Sequence, residues 1–284
     1  MRILVTGANG QLGQELRALP TTDATYYFTD IAELDITRAD AVQHFVHEHS
    51  IEVIINCAAY TDVNRAEEEA CKAECINAHA VANLATVAKN SDVTLIHIST
   101  DYVFGGNSIN MPISEAATTN PLGVYGGTKL MGEEAIIRSG CKYIILRTSW
   151  LYSSYGNNFV KTILRLAQEK ESINVVYDQV GTPTYAGDLA VVIKMIAESE
   201  LRHKHGIYHF SNEGAISWYD FAQAIVELSG CRCTINACRS EEYGTHVQRP
   251  HYSVLDKTKL KHTFGLSVPY WKDSLKECLS KING

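Results

Sequence analysis

Tyr125 and Lys129 stand four residues apart in Tyr125-Gly126-Gly127-Thr128-Lys129. On a helix that spacing puts both side chains on one face. A free tyrosine, with a pKa of about 10, exchanges protons poorly near neutrality. A neighbouring ammonium favours the phenolate and lowers that value. The pair can then pass a proton to or from a substrate oxygen. Alone, Tyr-x-x-x-Lys is a common accident of sequence. Its companion is the run Ser99-Thr100-Asp101-Tyr102-Val103-Phe104. It sits at the end of a predicted strand, where an open parallel sheet binds its ligands. The Thr100 hydroxyl is placed there to hold a carbonyl oxygen.

A second constellation is Gly7-Ala8-Asn9-Gly10-Gln11-Leu12-Gly13, which follows the first predicted strand and opens a helix. Glycine permits positive φ and lets the backbone come close to a pyrophosphate. The helix N-terminus offers free N–H groups and the positive end of its dipole. Strand, glycine turn, helix and then an acid, Asp30, seventeen residues past Gly13, make the context of a dinucleotide site. A carboxylate at the end of the second strand suits an adenosine ribose without a phosphate. Asp35 and Ile36 also fall near the adenine, and Arg38 is close by, so NADH and NADPH both stay open. Asp30 also suits a plain turn cap.

The elements that must carry these residues alternate. Arg2–Thr6, 26–30, 53–59, 94–100 and 143–150 read as strands. Residues 12–19, 39–49, 66–89 and 124–139 read as helices. The run VIINCAA at 53–59 is nearly all apolar, as a strand buried on both faces is. The β-α-β order predicts a parallel sheet with helices on both faces, and right-handed crossovers make it doubly wound. The later half is less regular, with helices at 159–169, 188–199, 218–229 and 271–282. Strands are expected at 173–177 and 207–210, and a loop at 244–252. The expected fold is thus α/β: a Rossmann-type doubly wound parallel sheet with a smaller C-terminal α/β substrate-binding domain. Residues 1–150 form the dinucleotide-binding domain, to whose sheet 173–205 return. The substrate-binding domain takes 151–172 and 206–284.

Composition narrows the function. At 284 residues, 45% hydrophobic and 20% charged, the chain has the makeup of a globular protein of about two domains. A formal charge of −7 with no basic block argues against a nucleic-acid partner. The apolar run at MRILVTG is too short for a secretory segment or a membrane span, so a cytoplasmic protein away from membranes is expected. Eight cysteines are spread thinly and read as reduced thiols. Cys231, Cys233 and Cys238 lack the paired spacing of a zinc site, and no metal is expected. Glu15 and other acids could hold a divalent ion at a subunit contact, but no spacing requires it.

The chain resembles the extended short-chain dehydrogenase/reductases, which share the T-G-x-x-G-x-x-G turn and the Tyr-x-x-x-Lys pair. Within them it is most similar to the dTDP-4-dehydrorhamnose reductase family. The matches run nearly end to end: VTGANGQLGQEL, INCAAYTDVNRAE, HISTDYVFGG, NPLGVYGGTKLMGE, ILRTSWLY, GNNFVKT, VVYDQVGTPTYAGDLA and Arg249-Pro250. One departure is Gly105, where the family often has Asp or Pro; it lies past the reacting residues and reads as loop variation.

The resemblance implies NADPH or NADH as cofactor and a dTDP-sugar as substrate. Hydride transfer to C4 of a 4-keto-6-deoxy sugar would give dTDP-L-rhamnose, a polysaccharide precursor. It implies that Gly10, Gln11 and Leu12 line the pyrophosphate, with Asp30, Asp35 and Ile36 nearer the adenosine. Ala59, Tyr60 and Thr61 would border the nicotinamide side. Thr100, Asp101 and Tyr102 would meet the sugar. Tyr125 would donate the proton, and Lys129 would hold the nicotinamide ribose and tune Tyr125. Val63 and Trp150 would wall the hexose, and Asn158 and Arg249 would face the nucleotide diphosphate. Read as residues alone, Trp150 also suits a core position and Arg249 an exposed loop. Oligomeric state stays open, a homodimer being one expectation. Two other functions also stay open: a different nucleotide-sugar reductase or epimerase, and a non-catalytic regulatory subunit on this fold.

Overall fold

The computed structural model describes residues 1–20, 22–106, 110–244 and 247–283. The chain opens with β1 (Arg2–Thr6), α1 (Gln11–Ala18), β2 (Thr25–Thr29), α2 (Ala39–Glu48) and β3 (Val53–Asn56). Successive side chains of a strand point to opposite faces, so a strand covered on both sides is apolar throughout. Accordingly Ile3 and Val5 enter one core and Leu4 the other, while Ile55 and Ile54 divide the same way. Each such buried side chain contributes about 1.5–3 kcal/mol.

After β3 come α3 (Val63–Glu68), α4 (Ala70–Glu74), a π-helical turn (Cys75–His79) and α5 (Ala80–Asn90). The single helix expected over 66–89 is therefore interrupted. Glu69 leaves helical geometry (φ −110°, ψ 41°). The π turn carries Asn77, whose side chain exchanges two hydrogen bonds with the Tyr60 backbone. Alanine content predicts helix but does not show where a side-chain partner will deform it.

Next are β4 (Thr94–Thr100), α6 (Val124–Ser139) and β5 (Lys142–Thr148). The strand expected to reach Trp150 stops at Thr148, because Trp150 adopts φ +49°. Then follow β6 (Leu151–Tyr152), α7 (Phe159–Glu169), β7 (Ser172–Val176), β8 (Val180–Gly181), β9 (Thr184–Tyr185), α8 (Ala186–Glu198) and β10 (Gly206–His209). The chain ends with β11 (Ile216–Ser217), α9 (Trp218–Ser229), β12 (Thr234–Cys238), α10 (Ser240–Tyr243), α11 (Thr258–Phe264) and α12 (Trp271–Asn283). Thr245 and His246, within the segment expected to be a loop, lie outside the described residues.

Six strands form one sheet in the order β2-β1-β3-β4-β5-β10, every pair parallel. Residues of α1, α8 and α11 share a core with one face, and residues of α2, α5 and α6 share a core with the other. The winding reverses between β1 and β3, and there the carboxyl ends of the strands open a crevice.

A third core joins α7, β7, α9, β12 and α12. Two assignments of the sequence reading change here. β7, expected to return to the main sheet, pairs with β12, which periodicity did not reveal. β10, expected in the substrate-binding domain, is the sixth strand of the main sheet beside β5. Both are short, and the partner of a short strand is decided by what the rest of the chain leaves uncovered. Cys231 and Cys233 pack against the third core and Cys238 is buried at the end of β12, as small apolar groups.

Candidate active site

The turn after β1 is shaped by contacts only glycine allows. Gly7 has φ +67°, and a Cβ there would stand 2.5 Å from the Ala58 nitrogen. A Cβ on Gly13 would meet Ala8 Cα at 2.5 Å, so Gly13 seats α1 on the turn rather than lining a cleft. The N-terminus of α1 has no side-chain cap. Its N–H groups are left for a ligand, as at phosphate-binding helix ends.

Two clefts meet at this turn. The larger, of about 490 Å³, is lined by Gly7, Gly10, Gln11, Leu12, Ala59, Thr61, Val63, Thr100, Asp101, Tyr102, Tyr125, Lys129, Trp150 and Asn158 among others. The smaller, of about 290 Å³, shares Gly7, Gly10, Cys57 and Ala59 and adds Asp30, Ile31, Leu34, Asp35, Ile36, Thr37, Ala58 and Ile76. Their shared floor gives an elongated ligand one continuous path across the switch point.

Asp30 both lines the smaller cleft and caps the turn. Its carboxylate accepts from the Asn9 and Ile31 backbone N–H groups, each at 2.9 Å. Asp35 turns to its own loop and accepts from the Thr37 N–H and hydroxyl, which hold its carboxyl below the usual range. Tyr60 braces the site through its backbone, while its hydroxyl donates to Glu69. Ala59 and Thr61 on either side face the larger cleft.

β4 ends by delivering Thr100. Its hydroxyl donates to Asp101 Oδ1 at 3.1 Å and accepts the Tyr102 N–H at 3.2 Å. Burial pushes the Asp101 carboxyl up to about 6, against hydrogen bonds from Ser253 and Thr100. α6 carries Tyr125 and Lys129 on the face turned to β4. Burial also raises the Tyr125 hydroxyl. A hydrogen bond with Thr100 opposes that rise, while Asp101 and Tyr102 add to it. The Tyr102 ring meets Tyr125 edge-on, centroids 5.4 Å apart.

Lys129 is 2% exposed. Its Nζ donates to the Ile98 carbonyl at 2.6 Å and lies 3.3 Å from Nε2 of His97. Burial brings its pKa down to about 8, against the pull of Glu133 and Cys57. The amine thus faces the strand, whereas the spacing alone suggested an ammonium acting directly on the Tyr125 hydroxyl.

Trp150 stacks on Trp218 with ring centroids 3.6 Å apart, and a Cβ on Gly181 would reach its ring at 2.6 Å. Holding a tryptophan at positive φ costs about 1–3 kcal/mol, and the stack retains it while its edge lines the larger cleft. Asn158 caps α7 and donates to Gln11 Oε1 at 3.0 Å, tying the turn after β1 to the start of α7. Arg249 contacts Asn64 at 3.4 Å and hydrogen-bonds the Tyr102 hydroxyl. It lines a separate cavity of about 340 Å³ with Phe159, Gln179, Trp218 and Tyr243. That cavity opens beside the Trp150–Trp218 stack.

Cys57, Ser149 and Gly156, none of them among the expected site residues, also stand on the wall of the larger cleft. Gly156 and Ser149 lie in the quoted GNNF and RTSW stretches; Cys57 carries no spacing signal. Beneath the wall, Arg147 and Glu133 form a buried ion pair at 2.6 Å that joins β5 to α6.

Residues 1–283 match the model of the RmlD substrate binding domain family. A dTDP-4-dehydrorhamnose reductase of Aggregatibacter actinomycetemcomitans is 42% identical, over 97% of each chain. The fold superimposes on a dTDP-4-dehydrorhamnose reductase from Clostridium acetobutylicum with a TM-score of 0.95 at 42% identity, covering 100% of both chains. A Bacillus anthracis dTDP-4-dehydrorhamnose reductase in complex with NADP gives a TM-score of 0.94 at 40% identity, over 99% of each chain.

Proposed function

Because the chain belongs to the RmlD substrate binding domain family, we propose that it is a dTDP-4-dehydrorhamnose reductase. It reduces the C4 keto group of dTDP-4-dehydro-6-deoxy-L-mannose to dTDP-L-rhamnose, the last step in making that sugar nucleotide. The observation that carries this reading is a single cleft walled by the glycine turn, by Thr100, Tyr125 and Lys129, and by Trp150.

The residues present fit a dinucleotide. A turn that tolerates no Cβ, an uncapped helix start and a second cleft with a carboxylate at its rim suit a pyrophosphate and an adenosine. Gly7, Gly10, Gln11 and Leu12 would hold the pyrophosphate, Asp30 and Ile36 the adenosine, and Ala59, Thr61 and Lys129 the nicotinamide side. When bound, the reduced nicotinamide supplies the hydride. The Bacillus anthracis relative solved with NADP supports NADPH. Asp30, which already spends its oxygens on the turn, supports NADH less strongly than a free carboxylate would.

The protein's part is position and proton supply. The Thr100 hydroxyl, which donates to Asp101 in the free protein, turns to donate a hydrogen bond to the C4 oxygen. Tyr125 gives that oxygen its proton as negative charge develops there, leaving a phenolate that the charge on Lys129, one helical turn along, favours. Asp101 and Tyr102 contact the sugar from β4. Val63 and the Trp150 edge exclude water from the hexose. Asn158 and Arg249 serve the nucleotide end. Eight free thiols support a reducing, cytoplasmic setting. Among the described residues no helix is long and apolar enough to cross a membrane.

The test is oxidation of NADPH and of NADH, in parallel, with the keto sugar nucleotide generated in place. Stoichiometric oxidation with dTDP-L-rhamnose as product is expected. A folded, cofactor-binding protein that oxidises neither would refute the reading.

A further inference from the structure

Behind the reacting pair lies a polar side chain that the reaction as described does not use. His97, on β4, is 0% exposed. Its Nδ1 is 3.0 Å from Nδ2 of Asn56, and its Nε2 is 3.3 Å from Lys129 Nζ. The Asn56 amide is oriented by a group that can only donate. The Ala58 backbone N–H reaches Asn56 Oδ1 at 3.1 Å, and the Thr6 hydroxyl donates to the same oxygen at 2.7 Å. The amide nitrogen therefore faces His97 as a donor, and His97 Nδ1 must accept. Burial and the charge on Lys129 keep the ring's proton affinity well below the usual value, so the ring is neutral. A neutral imidazole carries one N–H, and the only place left for it is Nε2, aimed at Lys129. That N–H is complementary to an amine lone pair and not to an ammonium. Lys129 in turn donates to the Ile98 carbonyl at 2.6 Å.

We propose that His97 is a positioning residue: oriented by Asn56, it presents an N–H to Lys129 and so sets the protonation and direction of that amine. This rests on the reading of Lys129 as the group that holds the cofactor and serves Tyr125. Other groups also face the amine. Glu133 on its own helix and Cys57 beyond β3 both favour the ammonium, and Arg147 on β5 pairs with Glu133. His97 pulls the other way. Above about pH 8 in the free protein the neutral amine accepts from His97. On taking up a proton it loses that lone pair and swings from His97 towards the cleft, where an anionic cofactor attracts it.

Two measurements test this without turnover. In a two-bond proton–nitrogen correlation spectrum of the ligand-free protein, the His97 signals are assigned by their loss in His97→Gln. They are expected to show Nε2 protonated and Nδ1 bare; a protonated Nδ1 overturns the proposal. The second is affinity for NADPH by nicotinamide fluorescence across about pH 6–10. Wild-type affinity is expected to weaken above about 8 as the ammonium is lost. Asn56→Asp reverses the relay: the new carboxylate accepts from Nδ1–H, and a bare Nε2 accepts from the ammonium. The onset of weakening then moves up by about one pH unit or more, a roughly tenfold gain in proton affinity. His97→Gln can accept from Asn56 and donate to Lys129, so it keeps the wild-type onset. Coincident onsets in wild type and Asn56→Asp overturn the proposal, as does a His97→Gln onset shifted as far as that of Asn56→Asp. Should Asn56→Asp fail to fold, the spectrum and His97→Gln still decide. An inactive protein that passes both tests refutes the reductase reading alone.

Discussion

Replacing Tyr125 with phenylalanine removes one oxygen and keeps the ring. The ring's edge-on contact with Tyr102, at 5.4 Å between centroids, survives the change. The hydrogen bond with Thr100 is lost. Thr100 still donates to Asp101 at 3.1 Å and accepts from the Tyr102 N–H at 3.2 Å, so no buried polar group is orphaned. The expected cost in stability is therefore about 1 kcal/mol, that of one ordinary hydrogen bond. The cost in catalysis is larger. A positioned proton donor contributes about 10²–10⁴-fold, which at ~1.36 kcal/mol per tenfold is roughly 2.7–5.4 kcal/mol of barrier. The assay follows oxidation of the reduced cofactor with the keto sugar nucleotide, alongside nicotinamide fluorescence for cofactor affinity. Turnover is expected to fall by two to four orders of magnitude, about the range given for a general acid, with affinity nearly unchanged. Turnover within about threefold of wild type, less than ~1 kcal/mol, would remove Tyr125 as the proton donor.

Lys129→Met is expected to lower both turnover and cofactor affinity, because the same amine serves the ribose and the reacting pair; steady-state kinetics with fluorescence titration read both, and two unchanged values exclude the dual role. Gly7→Ala must place a Cβ 2.5 Å from the Ala58 nitrogen at φ +67°. It should lose cofactor binding by about tenfold or more and lower the melting temperature, at a strain cost of about 1–3 kcal/mol. Asp101 has its folded pKa raised to about 6 by burial. A raised carboxyl binds more protons folded than unfolded between about 4 and that value, so its contribution to stability is present at low pH and lost as pH rises through about 6. Asp101→Asn should thus gain stability relative to wild type at pH 8 over pH 4.5, two conditions on either side of about pH 6. A pH-independent difference in denaturant midpoints would contradict the buried-carboxylate account. Removing one partner of the Arg147–Glu133 pair, as in Glu133→Gln, should cost about 3–5 kcal/mol in unfolding free energy; a loss below about 1 kcal/mol, the range of exposed pairs, would mean water reaches it.

Local physics made much of this protein legible in its residues. The apolar runs within β1 and β3 require burial on both faces, and that leads to a parallel sheet. Gly7, Gly10 and Gly13 between a strand and a helix point to a phosphate turn because only a missing Cβ permits that path. Tyr125 and Lys129 share a face because a helix repeats every 3.6 residues, or about four. These are inferences over a few residues of chain, where sequence separation and spatial separation are nearly the same thing. The tertiary structure decided what depends on distant partners. β7 chose β12 and β10 chose β5, since a strand of four or five residues carries no label for its neighbour. Trp150 found Trp218, sixty-eight positions away, and Arg249 found Tyr102. The spacing of Tyr125 and Lys129 suggested a direct pair, but the amine donates to the Ile98 carbonyl and lies against His97, because a buried polar group must take the hydrogen-bond partners the strand supplies. A periodic pattern states which face of an element is apolar; only the packed molecule states which polar groups meet behind it.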